Sequence, residues 1–160
     1  MIYRFLSLGL SALLIIGWGC KTSSSARSDE RALEIEVLFE GDRGAEKASE
    51  MILTNKVEWE QWWQGTQANA DMPSEYENLD FDRYMLVAVS AGTKSSGGFS
   101  TSIQAVKVSG ETLMVDVVDV QPGPNCFVTM AITYPVCVVK VKKVAFKQSE
   151  FRHSSEKSNC

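Results

Sequence analysis

The chain has one histidine, His153, and four cysteines, at positions 20, 126, 137 and 160. A lone imidazole serves as general base for a serine or cysteine only when a third group fixes it beside the nucleophile. His153 falls in the polar run KQSEFRHSSEKSNC, which has no apolar period and reads as a frayed tail, so no catalytic residue is assigned. Asp80 with Asp82, and Asp116 with Asp119, occupy strand-like positions where charge usually faces solvent, whereas a hydrolase needs two carboxylates converging in a cleft. No stretch puts oxygen ligands at loop positions 1, 3 and 5 with a later Glu, as calcium requires. There is no CxxC pair for tetrahedral zinc or thioredoxin-like redox chemistry, and Gly97-Gly98 lacks the spacing that cradles phosphates. Neither a metal nor a cofactor is expected, and the chain reads as no enzyme.

The cysteines offer structural chemistry instead. A bridge from Cys126 to Cys137 would close a loop of about 12 residues and contribute about 3 kcal/mol in the chain-entropy description. The alternative is two buried thiols; the bridge is the expectation taken forward. Cys160 is then an odd thiol open to exchange or intermolecular pairing.

Cys20 has a different context. Arg4 precedes an apolar run from Phe5 to Trp18, and Gly19-Cys20 is followed by a serine-rich stretch. The run is short for a bilayer span and reads as an export signal. The pattern resembles the lipobox of bacterial lipoproteins, in which the cysteine is diacylated and becomes the mature N-terminus. The expected organisation is therefore a signal peptide at 1–19, a lipidated Cys20 with a Ser-rich tether at 20–30, a domain at 31–147 and a polar tail at 148–160. That implies a membrane-anchored protein of the bacterial cell envelope. A formal charge of −4 gives no general basic surface for nucleic acid. A local patch of Lys140, Lys142, Lys143 and Lys147 on one edge is left open by that charge.

These residues must be positioned by an extended scaffold. Tyr84 to Ala91 is apolar on both alternating faces, the mark of a strand covered on both sides, and belongs in the middle of a sheet. Leu33, Ile35, Val37 and Phe39 alternate with mostly acidic residues in a half-buried strand. Further strands are expected at 51–54, 103–108, 113–118 and 136–146. Asn55 and Glu58 form a capping-box start for a helix at 56–64, and Trp59, Trp62 and Trp63 share one of its faces. That face packs on the sheet; the alternative is an exposed tryptophan platform for sugars. The segment GTKSSGGF, with three glycines able to take positive φ, forms a flexible tip on a hairpin and presents Phe99 either to a partner or to its own core. The Tyr134-Pro135 bond is a candidate for the cis form.

Several motifs occur in a fixed order: the turn Gly41 to Gly44, VEWEQWW, LDFD before an apolar strand, GTKSSGGF, PGPNC, and Thr133-Tyr134-Pro135 before a valine-rich strand. In this order the chain resembles the PrcB C-terminal domain family over residues 33–146, with the GG-aromatic turn and the PGPxC and TxP pair as its most specific parts. That family is named for a lipoprotein subunit of a bacterial surface protease complex. The resemblance implies an exported or lipid-anchored, non-enzymatic module that binds a protein. The chain departs from the family pattern in having Phe99 where a tyrosine is usual, and Val136 and Cys137 where an aromatic and a histidine often follow TxP.

The expected fold is α+β, an antiparallel β-rich domain of about six strands with one Trp-rich helix packed on the sheet. The expected function is docking of a protein, plausibly a protease that is stabilised or inhibited, through Lys94, Ser95, Ser96, Gly97, Gly98, Phe99, Tyr134 and Pro135. Binding of a glycan or small ligand is the alternative, favoured if the tryptophans are exposed.

Overall fold

The computed structural model describes residues 30–68, 76 and 78–159. The expected signal peptide, Cys20 and all of the tether before Glu30 lie outside them.

Eight strands and one helix are present among the described residues: β1 (Glu30–Leu33), β2 (Ile35–Gly41), β3 (Ser49–Leu53), α1 (Lys56–Gln64), β4 (Tyr84–Ser90), β5 (Ser100–Ser109), β6 (Thr112–Gln121), β7 (Val136–Lys142) and β8 (Gln148–Lys157). They form two four-stranded sheets, in the orders β1-β5-β6-β8 and β2-β7-β4-β3. All neighbours are antiparallel except β6 and β8, which run parallel from Thr112↔Gln148 to Gln121↔Lys157.

The β-rich α+β character holds, but the expected count of six strands does not. Two readings account for the difference. The alternating run from Leu33 to Phe39 is not one strand: the chain leaves the first sheet at Glu34 and enters the second, so β1 pairs with β5 and β2 with β7. The expected polar tail forms β8, held by ten residues of backbone pairing with β6 although its side chains are mostly exposed. A strand on a sheet edge gains its stability from backbone hydrogen bonds and needs no apolar period, which is why hydropathy does not reveal it.

Burial explains why β4 is apolar throughout. Met85, Val87 and Val89 point into the space between the sheets, where they join Val106 of β5, Val115 and Val117 of β6, and Cys137, Val139 and Val141 of β7. Leu86 and Ala88 point the other way and pack with Leu53, Val136, Val138 and the tryptophans of α1. Strand β4 is interior, flanked by β3 and β7, as its composition indicates.

Helix α1 spans the expected residues. The Asn55 side chain accepts from Glu58 N at 3.0 Å, while the Glu58 carboxylate accepts from Thr54 N at 2.7 Å, one residue before the position a capping box uses. Trp59, Trp62 and Trp63 are 0%, 8% and 1% exposed, with Trp59 and Trp62 stacked and Phe39 edge-on to Trp63. The tryptophan platform is thus closed against the second sheet and offers no sugar a ring face.

Candidate functional site: a two-loop tip beside a cleft

The segment from Gly92 to Phe99 is not a hairpin turn, because β4 and β5 belong to different sheets. It carries the chain across one end of the sandwich, and there it meets the long connection from β6 to β7. Lys94 and Thr133 exchange backbone hydrogen bonds at 2.8 and 3.1 Å, Gly97 N donates to Thr129 O at 2.9 Å, and the Thr133 hydroxyl donates to Ser96 O at 2.8 Å. Two loops are thereby joined into a single tip.

Glycine is required where they touch. Gly98 has φ +82°, and a Cβ there would lie 2.8 Å from Val128 Cγ1; a Cβ on Gly97 would lie 2.4 Å from Thr129 Oγ1. The expected flexibility of this turn is used for close packing of loop on loop.

The second loop carries the exposed apolar surface. Phe127 is 106% exposed, Met130 93% and Ile132 62%. Single exposed apolar side chains are ordinary, but three large ones within six residues of a loop fixed by hydrogen bonds make a patch of the kind that marks an interaction site. The sequence reading missed them. A signal was present: FVTMAI is apolar but lies between a proline-rich turn and TYP, with no partner run at strand spacing.

The residues expected to bind are distributed unevenly on this tip. Ser95 and Gly98 are exposed, Lys94, Ser96, Gly97, Phe99 and Tyr134 are half-buried, and Pro135 is buried with its carbonyl accepting from Ala91 N at 2.8 Å. Pro135 therefore offers no side-chain contact, and the Tyr134-Pro135 peptide is trans. Phe99 is neither core plug nor exposed tip. It lines a cleft of about 500 Å³ at the mouth of the sandwich, with Lys94 Nζ 5.9 Å from its ring centre.

That cleft opens where the second sheet ends at β3 and the first at β8, two edges that do not pair. His153 of β8 spans the gap. Its Nε2 lies 2.6 Å from Glu50 Oε1 on β3, and its Nδ1 lies 2.6 Å from Asp119 Oδ2 on β6. Ionised carboxylates only accept, so both contacts together require the imidazolium, with each ring N–H donating. Partial burial pushes the imidazole pKa down, but the hydrogen bonds and charges of Asp119 and Glu50 outweigh it, so the net shift is upward from 6.5. The floppy-tail reading of His153 is overturned, because β8 holds it between two strands. Both ring nitrogens are occupied by carboxylates, which leaves neither for a nucleophile.

The carboxylates considered for catalysis do not gather. Asp116 pairs with Lys107 at 3.0 Å in the first sheet, whereas Asp80 accepts from Asp82 N in the turn before β4. Of the basic residues, Lys140, Lys142 and Lys143 line one groove with Arg83, interleaved with Glu34, Glu36 and Asp82; Lys147 pairs with Glu111 instead.

The expected Cys126–Cys137 bridge does not form. Cys137 is a free thiol buried between the sheets on β7, facing the interior with Val139 and Val141, and burial pushes its pKa up to about 11. Cys126 lies outside this core, half-buried in the PGPNC turn.

The segment that carries the tip has a counterpart among known families. The family model described as PrcB C-terminal matches residues 85–142, from β4 through β7 and including both loops of the tip. The match supports, over that segment, the resemblance to the PrcB C-terminal family read from the sequence. Neither a curated protein nor a solved structure matches the chain.

Proposed function

We propose that this chain is a non-enzymatic protein-binding module of the bacterial cell envelope, carried on a lipid at Cys20, that docks a protein partner through its two-loop tip. The family match supports a module associated with a protease complex, and a protease is the partner class we put forward, to be stabilised or inhibited. The observation that carries the reading is the tip itself: a pair of loops joined by three backbone hydrogen bonds and presenting Phe127, Met130 and Ile132 to solvent. Holding large apolar side chains in water has a cost that a partner's pocket would recover, and central apolar anchors are where binding energy concentrates. The engagement of both His153 ring nitrogens by Asp119 and Glu50 supports the non-enzymatic part of the reading.

The test is site-specific photo-crosslinking in the native envelope, with the probe at Met130 in one protein and at the exposed Val57 of α1 in another. A discrete adduct from position 130 alone, identified by mass spectrometry as a protease or its subunit, is the expected result. Equal adducts from both positions, or none from 130, would remove the tip as the docking site.

A further inference from the structure

Three features bring the end of β8 across the PGPNC turn. Ser158 N donates to Gln121 O at 2.9 Å. The Ser158 carbonyl oxygen and hydroxyl lie 3.8 and 3.6 Å from Cys126 Sγ. Gly123 leaves room for this passage, because a Cβ there would lie 2.5 Å from Ser158 O. The sulfur of Cys126 is therefore in contact with a residue two positions before Cys160.

Cys126 is disulfide-bonded, and no second described cysteine is its partner, since Cys137 is a free thiol. The remaining cysteines of the chain are Cys20 and Cys160. Two residues of chain span at most about 7 Å, and a disulfide joins Cα atoms about 4.4–6.8 Å apart, so Cys160 is within reach from Ser158. Cys20 is poorly placed. Ten residues separate it from Glu30, which pairs with Ser109 at the end of β5 remote from the tip. Returning to Cys126 along that strand would take about 30 Å, nearly the full extension of those ten residues.

We propose that Cys126 and Cys160 form a disulfide that staples the end of β8 to the tip loop, one residue before Phe127. The bond fixes the loop carrying the apolar patch to the sheet that β8 completes. It is formed by thiol–disulfide exchange with an oxidant of the disulfide-oxidoreductase class. One thiolate attacks the oxidant's disulfide to give a mixed disulfide; the second attacks the protein sulfur of that bond and releases the oxidant as a dithiol. The two protein thiols lose two protons and two electrons, and the oxidant's disulfide takes up both electrons. Cys137 stays out of this exchange because it is walled in between the sheets.

The proposal is tested on the full chain taken from an oxidising compartment, with free thiols blocked in acid, by proteolysis without reductant and mass spectrometry. The expected product is a joined pair of peptides containing Cys126 and Cys160, two hydrogens lighter than their sum and lost on reduction. The blocking label is expected on Cys137 alone, and only after denaturation. Blocking label on Cys126, or its linkage to Cys20, to Cys137 or to a cysteine of a second chain, would overturn the assignment. The wild-type peptide map decides the pairing, so the result stands even if Cys160→Ser does not accumulate. As a second readout, hydrogen exchange at residues 122–132 is expected to quicken on reduction, and unchanged exchange would remove the stapling role.

Discussion

His153 Nε2 and Glu50 Oε1, more than one hundred positions apart in sequence, lie 2.6 Å apart and link the unpaired edges of the two sheets. Asp119 completes the contact from the other side of the ring. The sign of its pH dependence follows from the raised pKa of the imidazole. Stabilisation is fully present below the ordinary value of 6.5 and is lost as pH rises through the raised folded value. The difference in urea midpoint between wild type and His153→Asn should therefore be largest in mild acid and shrink toward alkaline pH. A difference that stays constant across that range would show that His153 acts by packing alone.

The closed tryptophan face predicts a large loss on truncation. Trp63→Ala should destabilise the domain by about 3–5 kcal/mol, read by denaturant unfolding, because it opens a cavity between α1 and the second sheet. Addition of oligosaccharides should leave tryptophan fluorescence unchanged. A saturable fluorescence response would reopen the sugar-binding alternative.

At the start of α1, Asn55→Ala removes the acceptor for Glu58 N and should lower stability by about 1 kcal/mol. The measurement is a thermal or urea midpoint compared with Asn55→Asp, which retains an acceptor and should stay near wild type.

Gly98→Ala forces a side chain into positive φ and against Val128, a strain of about 1–2 kcal/mol before any clash is counted. Its effect should be local: faster hydrogen exchange at the tip and weaker photo-crosslinking from Met130, with circular dichroism unchanged. Normal crosslinking from this variant would show that the join between the loops is dispensable for docking.

Cys137 has its pKa pushed up to about 11 and lies buried, so it should resist maleimide in the native state and react only on unfolding. Rapid native labelling would contradict its placement between the sheets.

Periodicity revealed the parts of this fold that bury side chains. The doubly apolar β4, the capped helix and the shared face of Trp59, Trp62 and Trp63 were legible because burial on one or two faces imprints a period on composition. What stayed hidden depended on pairing across long separations. The sheet change at Glu34 leaves hydropathy almost unbroken, and β8 is polar because it is held by backbone bonds to β6. Without β8, His153 had no fixed position and its two carboxylates, on β3 and β6, had no reason to meet. The Gly97-Gly98 turn was identified as a special feature, but its partner loop was not, since contact between residues 97 and 129 leaves no local trace in either segment.

The pairing of Glu30 with Ser109 fixes where any preceding chain joins the domain. Ser109 ends β5, and Ser100 at its other end adjoins the tip. Nine steps of extended strand at about 3.3 Å each separate the two, a standoff of about 30 Å. A leash attached at residue 30 therefore pulls on the pole of the molecule opposite Phe127, Met130 and Ile132. Anchored in that way, the domain would hold its apolar end outward, away from the surface to which it is tied.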